Sequence, residues 1–170
     1  MIYRFRIILD NDTEDSIFRD LEILESDSME DLHNIITQSF GFDGMEMASF
    51  YVSDDKWSQG EEIAMFDMSE AGNEIKTMST TKISDVVHEA STRLIYVYDF
   101  LNMWTFFVEL AEIVEEVKGV NYPNLMFAHG QIPDEAPEKI FQAEKDDSSD
   151  FDDDYETDDF DDIEFDENWN

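Results

Sequence analysis

The chain has 170 residues, and its composition of 42% hydrophobic and 14% aromatic residues supports a core, which excludes a chain that is disordered throughout. Its 44 acidic and 10 basic side chains give a formal net charge of -34, so we expect no direct binding to nucleic-acid phosphates or to anionic membranes. No apolar run reaches the roughly 20 residues that span a bilayer, and the absence of cysteine and of a secretory signal favours a cytoplasmic location.

The first two predicted elements form a hairpin. Residues 2–9 alternate apolar side chains with Arg4 and Arg6, the period-two pattern of a half-buried strand. Residues 17–24 alternate again after a polar turn. We expect the arginines Arg4, Arg6 and Arg19 to pair across the strands with Asp20 or Glu22 rather than to bind a substrate.

A helix is predicted to follow the hairpin. Ser28 can cap its N-terminus, and acidic residues in the first turn favour the positive end of the helix dipole. Gly41 ends it. The apolar stripe that would face the core consists of Leu32, Ile35, Ile36 and Phe40.

The middle of the chain is less regular. Residues 49–53 predict a third strand, and residues 54–60 predict a loop that exposes Trp57. Residues 61–81 are polar, methionine-rich and weakly periodic, so we expect an irregular insertion there. Residues 83–90 predict a short helix capped by Ser84.

Residues 94–110 predict the buried centre. Asp99 is the single charge in the first fifteen of them, and strong β-formers flank it, which indicates two antiparallel strands joined by a short turn. A carboxylate in an apolar run must be paired or hydrogen-bonded. We expect Asp99 to accept hydrogen bonds from the turn amides of residues 101–103, and a place in a ligand site is the alternative.

The C-terminal third predicts a loop that packs back on the sheet over residues 129–137, a last helix over residues 137–145, and a tail. Residues 144–170 hold fifteen acidic residues and one lysine, so we place a domain at residues 1–142 and a disordered acidic tail at residues 143–170. Either the tail only solubilises, or it docks through aromatic side chains that recur every four or five residues: Phe151, Tyr155, Phe160, Phe165 and Trp169.

The order of these elements predicts an α+β fold: a β-grasp-like mixed sheet packed on one main helix, with an irregular insertion. Five stretches, in order and at matching spacing, resemble the plasmid pRiA4b ORF-3-like family over about residues 2–135. They are YRFRIILDN, MEDLHNIITQSFGF, SFYVSDDKW, KISDVV and YVYDFLNMW. The resemblance implies a β-grasp-type α+β domain and no established biochemical activity.

The chain departs from that family at three histidines. The family's His-x-His pair falls on Glu46 and Ala48, and the last histidine of its YDFGDxWxH motif falls on Phe106. Alanine and phenylalanine cannot coordinate a metal, so the resemblance implies a diverged member without a metal site.

The sequence contains no pattern that predicts catalysis. His33, His88 and His129 have no partner at a metal-ligand spacing, and we expect His33 to be a core residue. There is no nucleophile elbow, P-loop or dinucleotide fingerprint, and we expect no cofactor.

These observations favour a non-enzymatic binding module whose partner is a protein with a basic surface. One alternative is an acidic DNA mimic or a plasmid- or transposon-associated accessory protein. Another is an enzyme with a pocket beside Asp99 and Trp104, with His33 as a further candidate. The candidate binding residues are Asp99, Trp104, Tyr98 and Trp57, together with the five tail aromatics.

Overall fold

A computed structural model describes residues 1–11, 15–66 and 75–137, which build one sheet and two helices. The helices are α1 (Met29–Phe40) and α2 (Ile83–Val86), and neither is long and apolar enough to cross a bilayer. The strands are β1 (Ile2–Leu9), β2 (Phe18–Leu24), β3 (Ala48–Val52), β4 (Glu62–Ala64), β5 (Lys76–Thr77), β6 (Arg93–Tyr98), β7 (Trp104–Val114) and β8 (Asn124–His129).

The eight strands form one mixed sheet in the order β5-β4-β3-β6-β7-β1-β2-β8. Each neighbouring pair is antiparallel except β4 and β5, which run parallel. The α+β class predicted from the sequence is therefore correct. The β-grasp-like arrangement stays a prediction.

Alternation along the central strands separates a core face from an open face. On β7, Trp104, Phe106, Val108 and Leu110 are buried, and the residues between them are half-buried. Tyr96 of β6 lies opposite Phe106 and is fully buried with it. The predicted centre is thus a strand pair with its apolar side chains beneath the helices.

Helix α1 begins and ends where its local chemistry predicts. The Ser28 hydroxyl accepts a hydrogen bond from the Asp31 amide at 3.1 Å, and the Asp31 carboxylate accepts one from the Ser28 amide at 3.0 Å. Gly41 closes the helix in the left-handed region, with φ 84°. The predicted stripe, with Leu32 and Ile36 fully buried, faces the core.

Two predictions for the middle of the chain are wrong: the irregular structure of residues 61–81, and the cap and end of the short helix. Strands β4 and β5 lie in the segment predicted to be irregular, and with three and two residues they are too short to show a period-two pattern. Helix α2 begins at Ile83 as predicted, but its N-cap is Lys82 rather than Ser84, and the Asp85 carboxylate accepts a hydrogen bond from the Lys82 amide at 3.0 Å. It ends at Val86, before the bridge between His88 and Ser91.

Strand β8 has no counterpart among the predicted elements, and it overlaps the predicted C-terminal loop only at His129. It pairs antiparallel with β2, and five of its six residues are exposed. An edge strand with this exposure has no alternation of apolar and polar side chains, so no period-two signal marks it. The predicted last helix lies almost entirely outside the described residues, and so do the boundary at residue 142 and the acidic tail.

Two of the three arginine pairings are confirmed on the open face. Arg4 Nε lies 2.9 Å from Glu22 Oε2, and its Nη1 lies 2.7 Å from Glu112 Oε1. Arg6 Nε lies 2.8 Å from Asp20 Oδ1. These pairs sit on three neighbouring strands, where opposite charges stabilise the sheet and cancel part of the acidic field.

Arg19 does not make the predicted ion pair. It is buried, and its guanidinium donates to the carbonyl oxygens of Ser39 at 2.8 Å, Phe18 at 2.8 Å and His129 at 3.1 Å. It also lies 4.5 Å from the centre of the Phe40 ring, and burial lowers its pKa. The side chain therefore joins the end of α1 to β2 and β8, where carbonyls and the helix dipole favour a cation.

We predict that Arg19→Met lowers the free energy of unfolding by about 2 to 3 kcal/mol, because it leaves buried carbonyl acceptors without a donor. Arg6→Met is the matched control, since Arg6 forms an exposed ion pair on the same sheet and should cost less than about 1 kcal/mol. Urea denaturation measures both. Equal losses would show that the contacts of Arg19 with buried carbonyl oxygens contribute no more to stability than the exposed ion pair of Arg6 does.

Candidate functional site

The turn between β6 and β7 holds the candidate residue Asp99. The Asp99 carboxylate accepts hydrogen bonds from the Leu101 amide at 3.2 Å and from Asn102 Nδ2 at 2.6 Å. The Asp99 carbonyl accepts the amides of Asn102 at 3.0 Å and Met103 at 2.6 Å. The Leu101 amide is one of the predicted donors to the Asp99 carboxylate, and the Asn102 side chain is a donor that was not predicted. This buried carboxylate thus accepts its hydrogen bonds from residues of its own turn.

The same turn has an unusual backbone. Asp99 and Met103 lie in the left-handed region, with φ values of 64° and 59°. Such conformations persist where surrounding contacts determine them, and they concentrate at functional positions. Here the Asp99 amide donates to the Met47 carbonyl at 2.7 Å, which joins the turn to the loop over residues 42–47.

Tyr98 fixes that neighbouring loop. Its hydroxyl donates to Asp43 Oδ1 at 3.0 Å and accepts from the Gly44 amide at 3.1 Å. The Met45 amide also donates to Asp43 Oδ1, at 2.9 Å. This amide, followed by the Tyr98 hydroxyl, lowers the pKa of Asp43, whereas desolvation and then the nearby Asp43 carboxylate raise the pKa of Tyr98.

An aromatic cluster supports both loops from the core. The Phe42 ring stacks on Tyr98 with ring centres 4.5 Å apart and lies 5.2 Å from Trp104. Phe106 lies 6.1 Å from Phe42 and 4.7 Å from Phe40. Tyr98 and Trp104 are both buried. They hold the loops in place and present little surface to a partner.

Two of the three residues at the positions aligned with the family's histidines are part of this packed core. Ala48 and Phe106 are fully buried and lie on β3 and β7, the two strands that flank β6. Glu46 is exposed in the preceding loop. Across residues 1–11, 15–66 and 75–137, no group of three potential ligands among His, Asp and Glu could hold a metal ion. Two of the three aligned positions, Ala48 and Phe106, therefore hold buried apolar side chains where the family has histidine.

The exposed part of these loops is apolar. Leu101 is 93% exposed and Met45 79%, and Phe100 and Met103 are 43% and 38% exposed. We call these four side chains and the two loops that carry them the tip. Sequence reasoning missed them, although Leu101 stands where the family motif has glycine, and that substitution was the available signal.

Trp57 lies elsewhere. Its ring is half-buried rather than exposed, and it packs 4.8 Å from the centre of the Phe107 ring on the open face. The Arg93 guanidinium lies 4.8 Å from the centre of the Trp57 ring. Because Arg93 begins β6 and Tyr98 ends it, Trp57 is at the opposite end of that strand from the tip. The structure does not bring Trp57 together with Asp99 and Trp104.

His33 is part of the core, as the sequence predicts. Its Nδ1 lies 2.7 Å from the Tyr96 hydroxyl, and both side chains are buried. Burial lowers the pKa of His33 and raises the pKa of Tyr96 well above its ordinary value. The pair is therefore neutral and hydrogen-bonded at neutral pH.

Three cavities in the described part of the chain have linings that include none of Asp99, Tyr98 and Trp104. One of about 330 Å³ is lined by residues 53–55 and 90–93. Two of about 270 Å³ lie along β7, one beside Arg4 and Arg6 and the other beside Glu89 and Thr92. Asp99, Tyr98 and Trp104 line none of the three, so these cavities do not support a pocket there. The five tail aromatics lie outside the described residues.

Comparisons with known proteins agree with this fold. A sequence model of the plasmid pRiA4b ORF-3-like protein matches residues 1–168, which extends beyond the stretch over which the motifs resemble that family. A crystal structure of a protein of unknown function from Methanosarcina mazei Go1 is similar, with a TM-score of 0.68, 20% identity and 91% of each chain covered. At that identity the likeness shows the fold alone. No curated protein matches the chain.

We predict that Asp99→Ala lowers the free energy of unfolding by about 1 to 3 kcal/mol, because it removes a buried acceptor from the turn. Asp99→Gly is the control, since glycine also removes the carboxylate but adopts the left-handed backbone without a steric penalty. The glycine variant should therefore lose less stability in urea titrations. If both variants match the parent, the carboxylate is not what holds the turn.

His33 predicts a pH dependence of stability. A histidine whose pKa is lowered by folding binds more protons in the unfolded state, so its contribution is full above about pH 6.5 and is lost as the pH falls below that value. The loss is at most about 1.4 kcal/mol per pH unit. His33→Asn removes the titrating group and keeps a polar partner for Tyr96.

The measurement is the difference in free energy of unfolding between parent and His33→Asn at about pH 7.5 and about pH 5.5. Effects of the many carboxylates are common to both proteins and cancel in the difference. We expect the advantage of the parent to shrink at the lower pH. A constant difference would contradict a buried neutral imidazole.

Proposed function

Because the chain belongs to the plasmid pRiA4b ORF-3-like family, a membership that names no reaction, we propose from its own surface that it is a non-enzymatic protein-binding module. The observation that supports this proposal is the tip. In a chain of net charge -34, large apolar side chains stand exposed on two loops that are bonded to each other and to the core. Exposed apolar groups held in this way are typical of docking surfaces.

The energetics of the tip favour association. Burying a side chain such as Leu101 contributes about 1.5 to 3 kcal/mol relative to leaving it in water. The bonds of Asp99 and Tyr98 already order both loops, so a partner meets little additional entropic cost. Met45 and Met103 add flexible, polarizable side chains that adapt to different apolar partners.

The charge around the tip indicates the partner's chemistry. Asp43 and Glu46 lie in the same loop as Met45, and the whole chain is strongly acidic. A basic amphipathic helix would place its apolar face on the tip and its lysines or arginines near these carboxylates. We propose a protein partner of this kind.

Two other ideas have less support. The alternative of an acidic DNA mimic needs a free array of carboxylates, whereas Asp20, Glu22 and Glu112 on the open face are paired with arginines. The spacing of the aromatic residues in the tail makes it a candidate second docking element. Replacing its five aromatics, Phe151, Tyr155, Phe160, Phe165 and Trp169, by serine would keep every charge and test that role.

We predict that an amphipathic helical peptide of leucine and lysine binds the full-length protein, and that Leu101→Ser combined with Met45→Ser weakens binding at least tenfold. The physical reason is the loss of the buried apolar area, which salt does not screen. Isothermal titration calorimetry over a salt series measures the affinity. Val117→Ser, at another exposed apolar residue, is the matched control and should bind as the parent does.

A second peptide, with serine in place of leucine and the same lysines, measures the purely electrostatic component. The parent should bind it more weakly, because only the lysine contacts remain, and salt screens those contacts. If the two peptides bind equally, or if the tip variant binds as tightly as the parent, the tip is not a docking surface and the proposal is wrong.

A further inference from the structure

Strand β8 forms one edge of the sheet and is held firmly in place. One side pairs with β2, and among the described residues no strand pairs with its other side. At its start, Asn124 Nδ2 donates to Glu22 Oε1 at 3.1 Å. At its end, the His129 ring stacks on Phe18 with centres 5.2 Å apart. These contacts hold the backbone of β8 in position without help from a partner.

The side chains of this edge are apolar. Leu125, Met126 and Phe127 are 44%, 46% and 52% exposed. Met126 is the extra residue of a bulge and lines a cavity on the open face beside Arg4 and Arg6. Natural sheets protect free edges with charges, proline or bulges. Here the bulge turns an additional apolar side chain outward, and no charge accompanies it within the strand.

The edge also lacks the acidity of the rest of the chain. Residues 121–133 contain no charged side chain, although the protein has 44 acidic residues. The carboxylates of the adjoining strand, Asp20 and Glu22, are paired with Arg6 and Arg4. Another acidic molecule can therefore approach the β8 edge without placing its carboxylates directly opposite unpaired carboxylates of this chain.

We propose that two copies of this chain associate by pairing β8 with β8 in antiparallel fashion, which would continue the sheet from one copy into the other. A two-fold axis near the middle of the strand would bring Met126 and Phe127 of both copies together. A basic partner gains nothing from an uncharged strand, whereas a second copy supplies an identical apolar strand and edge.

This association has a distinctive salt dependence. The strand pairing and apolar contacts are insensitive to salt, but the acidic bodies of the two copies repel each other. The Debye length falls from about 8 Å at physiological ionic strength to about 3 Å at 1 M, so salt screens the repulsion. Dimerisation should therefore strengthen as salt increases, which is opposite to the behaviour of an acidic protein that binds a basic partner.

Sedimentation equilibrium of the full chain over a salt series tests the proposal. We expect a reversible dimer that tightens with salt, and at least tenfold weaker dimerisation in Met126→Glu and in Phe127→Glu. Val117→Glu is the matched control because it adds the same charge at another exposed apolar position. Leu101→Glu, in the tip, is a second control. Both controls should dimerise nearly as the parent does.

A neutral comparison separates apolar burial from added charge. Phe127→Ser should weaken the dimer while Val117→Ser leaves it intact, and urea midpoints check that both variants remain folded. A parent that stays monomeric at every salt concentration overturns the proposal, as do β8 variants that dimerise like the parent or controls that disrupt the dimer equally. Because the tip is a different surface, these results are independent of the peptide-binding test.

Discussion

Repulsion among 44 acidic side chains is the main constraint on how this chain folds. Folding has to bury an apolar face without burying unpaired carboxylates, because an isolated buried charge costs far more than a single hydrophobic contact contributes. The core face of β1, β6 and β7 accordingly carries aromatic and aliphatic side chains under α1. Two carboxylates are buried among the described residues, those of Glu22 and Asp99. Glu22 pairs with Arg4 and accepts from Asn124, and Asp99 accepts from its own turn.

Three of the arginines offset part of this repulsion by pairing with carboxylates. Arg4, Arg6 and Arg93 each lie on the open face beside carboxylates of neighbouring strands. Arg19 is used differently: it is buried and satisfies backbone carbonyls at the junction of α1, β2 and β8. This contact and the Asn124 side chain hold β8 on the sheet. The same strand contains no Asp, Glu, Lys or Arg.

Membership of the family explains the architecture and leaves the chemistry open. The positions aligned with the family's histidines include Ala48 and Phe106, and the space around them is filled by the rings of Phe40, Phe42 and Tyr98. That packing stabilises the two loops of the tip. The exposed surface that this packing supports is apolar, and the proposed function follows from the residues that this chain has at those positions.

Local patterns in the sequence determined the first hairpin, α1 with both caps, and the central strand pair. Their information is contained in neighbouring residues: alternation along Ile2–Leu9, the Ser28 and Asp31 reciprocal cap, and β-formers on both sides of Asp99. Tertiary structure alone decided β4, β5 and β8, the role of Arg19 and the exposure of the tip. Strands of two or three residues are too short to show a period, and an edge strand exposed on both faces has none. Arg19 differs from Arg6 only through partners 20 and 110 residues away, Ser39 and His129, and such distant contacts leave no mark in the local sequence.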